Sequence, residues 1–191
     1  MQKNRMEAFS DGVVAILITI LVLGLKPPQG DGLAALRPLV PFFLIYALSF
    51  INLAIYWNNH HHLLQAAEQV NGGVLWANMH LLFWLSLIPF ATAWVGENPL
   101  APWPVALYGV VLLFDAVAYT ILSRALIALN GHDGVLARAV GRDTKGNVSL
   151  VMYLAGVLLS FASIWIAYGL YALVAIMWLI PDPRIEKRLA P

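Results

Sequence analysis

VSLVMYLAGVLLSFASIWIAYGLYALVAIMWLI, residues 148–180, runs for 33 positions without a charged side chain. A bilayer's hydrocarbon core is about 30 Å thick and a helix rises about 1.5 Å per residue, so one crossing takes roughly 20 residues. The run is too long for one helix and suits two short ones joined near residues 163–169. Trp165, Tyr168 and Tyr171 would then lie at a water interface, where amphipathic rings sit. Four further apolar blocks precede it, at about 6–25, 39–57, 74–95 and 102–123, read from hydropathy. The chain therefore carries six membrane helices if 148–180 is two, and five if it is one.

The basic residues decide between these counts, because cytoplasmic loops carry an excess of Lys and Arg. With six spans, Lys3, Arg5, Arg124, Arg138, Arg142, Lys145, Arg184, Lys187 and Arg188 share one side, and only Lys26 and Arg37 take the other. With five, the last three cross over and the split falls to six against five, which specifies no orientation. Six helices with both termini cytoplasmic are expected.

Composition agrees. Of 191 residues, 61% are apolar and 11% charged, against about 25% charged in ordinary soluble domains. Six helices consume the length, so residues 1–191 form a single all-α integral membrane domain with no separate catalytic unit. The net charge of +1 argues against a nucleic-acid partner, since a phosphate-binding surface concentrates Lys and Arg. The absence of cysteine removes disulfides, thiolate nucleophiles and Cys-ligated metals. The N-terminus resembles a signal peptide in its basic start, but Glu7 and Asp11 interrupt it and no small-residue cleavage site follows, so it reads as the first span.

That first span is the most informative. Arg5, Glu7, Ser10 and Asp11 lie in or beside a membrane helix, where an unpaired polar group is expensive. At 100° per residue, Gly12, Ile16, Thr19, Ile20 and Leu23 fall on one stripe, while Ser10 and Asp11 point toward neighbouring helices. The stripe suits either a tight helix contact or the wall of a narrow pore gated by dewetting.

The second span ends in Trp57, Asn58, Asn59, His60, His61 and His62. Three successive histidines diverge on a helix, whereas helical metal ligands want i and i+4, so no metal site is expected. A polar helix end offering donors to Ser10 and Asp11 fits better. The third span carries Asn78 and His80, then Pro89, which should kink the helix with Thr92 satisfying the freed backbone. Asp115 is the one acid well inside a later helix: a proton or cation relay by function, or the partner of a nearby hydroxyl or histidine by structure. The chain has no nucleophile elbow, zinc-protease motif, P-loop or TVGYG potassium filter. Nothing supports an enzyme or a cofactor.

The run Arg5-Met6-Glu7-Ala8-Phe9-Ser10-Asp11-Gly12, with Leu23-Gly24-Leu25-Lys26-Pro27-Pro28 closing the helix, resembles the transmembrane protein 175 family of lysosomal and prokaryotic potassium channels. Arg5, Phe9, Ser10 and Asp11 match its Arg-x-x-x-Phe-Ser-Asp motif. Trp57 with His60 and His61 is similar to its second-helix ending, Asn78 with Pro89, Phe90, Thr92 and Glu97 to its third helix, and residues 170–181 to its last. The resemblance implies a homotetramer of six-helix subunits with helix 1 lining a central pore in a prokaryotic plasma membrane. It implies K+ as the permeant ion and a constriction at Ile16, Ile20 and Leu23, beside Thr19. Ser10 and Asp11 would hold helix 1 through Trp57, His60, His61 and Asn78. An apolar constriction cannot replace an ion's hydration shell, so selection would follow how readily each ion sheds water, favouring potassium modestly over sodium. The alternative is a proton- or cation-coupled transporter using Asp115, His80 and Asp11, although no inverted repeat is visible. A non-conducting helical scaffold is the reading from a different class.

Overall fold

The computed structural model describes residues 3–131, 134, 136–137 and 143–179. Every regular element among them is helical: α1 (Lys3–Leu23), a 3-10 segment (Leu33–Leu39) leading into α2 (Val40–Ala66), α3 (Gly72–Leu85), α4 (Ile88–Glu97), α5 (Pro102–Asn130), α6 (Thr144–Leu159) and α7 (Ile164–Leu179). α3 and α4 are halves of one broken helix, so the architecture is a six-helix bundle.

Proline sets three of the helix starts. α2, α4 and α5 each carry proline in the first turn, where a backbone N–H has no intrahelical acceptor and its loss costs nothing. Side-chain caps set two more, Asn71 accepting from Val74 N (2.9 Å) and Asp143 from Gly146 N (2.8 Å), each satisfying one orphan donor of a first turn.

The same proline rule moves the expected kink. The break in the third span lies at Ser86 and Leu87, ahead of Pro89. A proline ring collides with the carbonyl four residues earlier, here Leu85, so α3 stops there and α4 restarts with Pro89 in its first turn. Thr92 does not relieve the break as expected, because its hydroxyl donates to Ile88 O (2.7 Å), within α4.

Among the described residues four stretches, Lys3–Leu23, Leu33–Ala66, Gly72–Glu97 and Pro102–Asn130, are long and apolar enough to cross a membrane. α6 and α7 have 16 residues each, reaching roughly 24 Å. The 33-residue run is two helices, but the joint lies at residues 160–163, earlier than expected. Ser163 N donates to Leu159 O (2.7 Å) and Ser160 Oγ to Val157 O (2.7 Å), so serine side-chain and backbone bonds close the turn without glycine or proline. Trp165 is 69% exposed beside this turn. Tyr171 is not at an interface: it is fully buried, and its hydroxyl donates to Val105 O (3.3 Å). Gly109 of α5 and Gly156 of α6 form the notch that admits its ring, since a Cβ at either would collide with Tyr171.

Overpacking of that kind costs about 1–3 kcal/mol. Gly156→Ala is therefore expected to lower the thermal unfolding temperature of the detergent-solubilised protein. Gly169→Ala, with nothing within 4 Å of the added Cβ, should not.

α5 is the hub, packing against α3, α4, α6 and α7, whereas α1 lies against α2, α3 and α4. Clamps hold each end of the bundle. At one end Lys3 Nζ donates to Ala67 O (2.9 Å), and the Asn130 side chain accepts from the backbone N–H groups of Glu68 and Gln69 (both 2.9 Å). At the other, Lys26 pairs with Glu97 (3.2 Å) and Tyr168 donates to Pro99 O (2.8 Å). Lys3, Arg5, Arg124 and Lys145 lie toward the first end, Lys26 and Arg37 toward the second. Arg138, Arg142, Arg184, Lys187 and Arg188 fall outside the described residues, as does the end of the 170–181 stretch.

Candidate pore helix and its anchoring network

Helix periodicity divides α1 into two faces. Met6, Ser10, Val14, Leu17 and Leu21 are buried against the subunit. Opposite them, Arg5, Phe9, Gly12, Ile16, Thr19, Ile20 and Leu23 are exposed, with Ile16 59% and Leu23 75% accessible. Spacings of three and four place all seven on one arc. Arg5 and Phe9, expected among the anchoring residues, thus extend the stripe toward the Lys3 end. Thr19 donates its hydroxyl to Ala15 O (2.9 Å) on its own helix, which leaves its oxygen as an acceptor, so from Gly12 to Leu23 the face is apolar apart from that one oxygen, with a gap at Gly12.

A hydrogen-bonded web fixes the inner face. Asn78 on α3 is its centre: its Nδ2–H donates to Ser10 Oγ (3.0 Å) and its Oδ1 accepts from His60 Nε2 (2.8 Å). Ser10 passes its own proton to Met6 O (2.9 Å), so its oxygen is free to accept. One residue on, Asp11 Oδ1 accepts from Trp57 Nε1 (3.0 Å). Trp57 stacks on His61, with ring centroids 6.0 Å apart. His61 Nδ1 donates to Glu7 Oε1 (3.1 Å), while its Nε2 accepts from Gln65 (2.8 Å). A single imidazole tautomer satisfies both. Ser10, Asp11, Trp57, His60, His61 and Asn78 are thereby brought together. Three helices are tied at one level, and the stripe is aimed outward.

Two features were not placed in the site by the sequence reading, although Glu7 was named there as a polar residue in need of a partner. Glu7 belongs to the web as much as Asp11 does, and the signal was its i, i+4 relation to Asp11, which puts both carboxylates on the side facing α2. The second is a directed chain of hydroxyls. Thr92 gives its proton to Ile88 O and so accepts from Ser49 (2.7 Å), which in turn accepts from Tyr108 (3.0 Å). This chain joins α4, α2 and α5 where all three side chains are buried. Single hydroxyls scattered through apolar blocks carry no spacing signal.

His80 stays on α3, its Nε2 accepting from Trp84 Nε1 (3.0 Å). Among the described residues no group of three His, Cys, Asp or Glu side chains is placed to hold a metal ion. Asp115 is completely buried, and neither carboxyl oxygen has a hydrogen-bond partner.

Comparison with known proteins places these features in context. The profile of the family described as "Endosomal/lysosomal potassium channel TMEM175" matches residues 5–89, the segment holding α1, α2 and α3 and hence the whole web. Along its length the chain is similar to a potassium channel of Chryseobacterium sp. (strain P1-3), 53% identical over 189 residues and covering 99% of this chain and 98% of that protein. The fold is similar to the crystal structure of a lysosomal potassium-selective channel TMEM175 homolog from Chamaesiphon minutus. There the TM-score is 0.80 at 30% identity, over 93% of this chain and 96% of that one. The endosomal/lysosomal proton channel TMEM175 of Homo sapiens is 36% identical over 113 residues, 53% of this chain and 20% of that protein.

Proposed function

This chain belongs to the TMEM175 potassium-channel family, and from that premise we propose that four copies surround a central pore lined by α1. It is a multi-pass membrane protein and a potassium channel. Residues 1–191 act as one channel domain, with both termini cytoplasmic in a prokaryotic plasma membrane. Ile16, Ile20 and Leu23 form the constriction, with Thr19 and Gly12 between them.

The observation that carries this reading is the asymmetry of α1. One face is bonded to α2 and α3 through the Asn78 web, and the other is left uncovered by its own subunit. Lipid alone does not account for the composition of that face. α6 offers lipid Val151, Leu154 and Leu158, all bulky and exposed, whereas the α1 stripe alternates bulky residues with Gly12 and Thr19. Small residues permit close approach of helices, and a ring of branched side chains closes a narrow hydrophobic gate. The rings of Ile16, Ile20 and Leu23 offer no oxygens to an ion that sheds its water, and Thr19 offers one hydroxyl oxygen per copy, too few to replace a hydration shell. Potassium holds its shell less tightly than sodium, so passive conduction favours it modestly.

The absence of cysteine makes the test clean. Single cysteines at Ile16, Ile20 or Leu23 are expected to cross-link between copies under mild oxidation or with a short bifunctional thiol reagent, and one at Leu154 is not. Liposomes holding the purified protein are expected to pass potassium down its gradient. Cross-linking at Leu154 but at none of the α1 positions would overturn the pore assignment, and failure of the flux would overturn conduction by the protein alone.

A further inference from the structure

We infer that the outward face of α2, together with the edge of α1 beside it, is the seat of the next copy of this chain around the pore. This rests on the four-copy arrangement proposed above and names the surface that joins one copy to the next. Spacing is the first observation. Phe43, Ala47, Phe50, Ala54, Trp57 and His61 recur at alternating intervals of four and three, the 3.5-residue repeat of a seam between helices. The rings of Phe43, Phe50 and Trp57 are exposed and stand seven residues apart with a half-buried alanine between each pair. Alternation of large and small residues lets a second helix interdigitate, whereas fluid acyl chains call for no such relief.

Asn58 makes the stronger case. It is exposed on the same face, about 12 Å in from the Ala66 end by helix rise. Other asparagines of α2 show what the side chain does when left to its own helix: Asn52 and Asn59 each return an N–H to the carbonyl four residues back, Leu48 O (3.0 Å) and Ile55 O (2.9 Å). Asn58 does not, and among the described residues its amide has no hydrogen-bond partner. An unpaired amide facing hydrocarbon is expensive, while amides bonded across helices hold membrane helices together. The other outward faces differ. α6 presents Val151, Leu154 and Leu158, and the outward hydroxyl of Ser86, between α3 and α4, is spent on Phe83 O (2.6 Å).

Position identifies the occupant. The bond from Trp57 to Asp11 joins the exposed face of α2 to that of α1. Ala8 and Ala15, both exposed, fall at the edge of the α1 arc toward Asp11 and α2, and Phe9 and Ile20 fall at the opposite edge. Around a ring of four, one edge of each copy meets the opposite edge of the next, a head-to-tail contact that closes by rotation. The bulky edge at Phe9 and Ile20 therefore seats against the alanine edge and the α2 seam of its neighbour, and Asn58 finds its partner on that copy.

Cross-linking of the full-length protein in liposomes tests this, in a chain with no cysteine of its own. Counted from the contact of Lys3 with Ala67 that aligns α1 and α2, Phe9 and Asn58 differ in height by only about 5 Å. A chain carrying both Phe9→Cys and Asn58→Cys should give cross-linked species of up to four copies with a short bifunctional thiol reagent. Either substitution alone, with one thiol per chain, stops at two. Asn58→Leu, which keeps the bulk and removes the amide, should weaken each contact between copies by roughly threefold in detergent, the worth of an average interhelical bond. The inference is overturned if the doubly substituted chain stops at two copies while Ile16→Cys still cross-links, or if Asn58→Leu stays assembled as firmly as the parent. Loss of the Ile16→Cys cross-link as well would remove the four-copy arrangement itself.

Discussion

Ile16→Asn, present in every subunit of the reconstituted channel, is expected to raise potassium conductance by roughly tenfold or more and to erase most of the preference over sodium. Ile16 occupies the middle stretch of α1, distant from water at either helix end, and 59% of it is uncovered by its own subunit. A ring of such side chains opposes ions by making the constriction unfavourable to water. Transfer of one isoleucine side chain is worth about 1.5–3 kcal/mol, so in the proposed tetramer four copies would contribute about 6 kcal/mol or more to keeping the ring dry. If only a quarter of that appears in the barrier, its removal passes the 1.4 kcal/mol that corresponds to a factor of ten. Selectivity should fall with the barrier, because an amide-lined ring lets ions pass with their water retained. Single-channel recording in potassium and sodium solutions gives both quantities. An assembled variant with unchanged conductance and unchanged selectivity would remove Ile16 from the constriction.

How much of this arrangement was legible in the chain depends on the range of the physics. The two faces of α1 follow from a period of 3.6 acting over 21 residues, and every residue of the wheel stripe is exposed, within a wider exposed face that also holds Ala8, Ala15 and Val22. The six-helix count was legible because eleven basic residues were few enough to assign individually. Junctions were less so. Pro89 acts backward on Leu85, so the break precedes the proline that causes it. The turn at residues 160–163 contains neither glycine nor proline, so nothing local marked it. Tyr171 shows the limit of a residue-type rule: tyrosine suits an interface or a core, and the choice was made by Gly109 and Gly156, far away in sequence. The web is intermediate. Polar residues in apolar spans declare that they need partners, and they do not say which. The pairing of Asn78 with both Ser10 and His60 is a product of three helices meeting at one level.

Asn78→Leu should carry the largest stability cost of any single change in the web, and magnitudes explain why. Interhelical hydrogen bonds in membrane proteins are worth about 0.6 kcal/mol on average and about 1.7 at most, so the two made by Asn78 account for roughly 1–3 kcal/mol. The remainder comes from what is left behind. Ser10 retains its bond to Met6 O, but His60, only 5% exposed, loses the acceptor of its Nε2–H. An orphaned buried donor costs about 1–3 kcal/mol. The total, about 2–6 kcal/mol, is a large share of the 5–15 kcal/mol that holds a typical protein folded. The expected result is a variant that unfolds at markedly lower temperature and loses α1-mediated cross-links. Because the penalty lies in the unpaired imidazole, replacing both partners should relieve it: His60→Leu with Asn78→Leu is expected to recover much of the lost stability, since two apolar groups of matching shape need no bond. A double-mutant cycle read by thermal unfolding measures the coupling. A single variant as stable as the parent, or a double variant weakened by the sum of the two singles, would show that α1 is held by packing of Leu17 and Leu21 and not by the polar web.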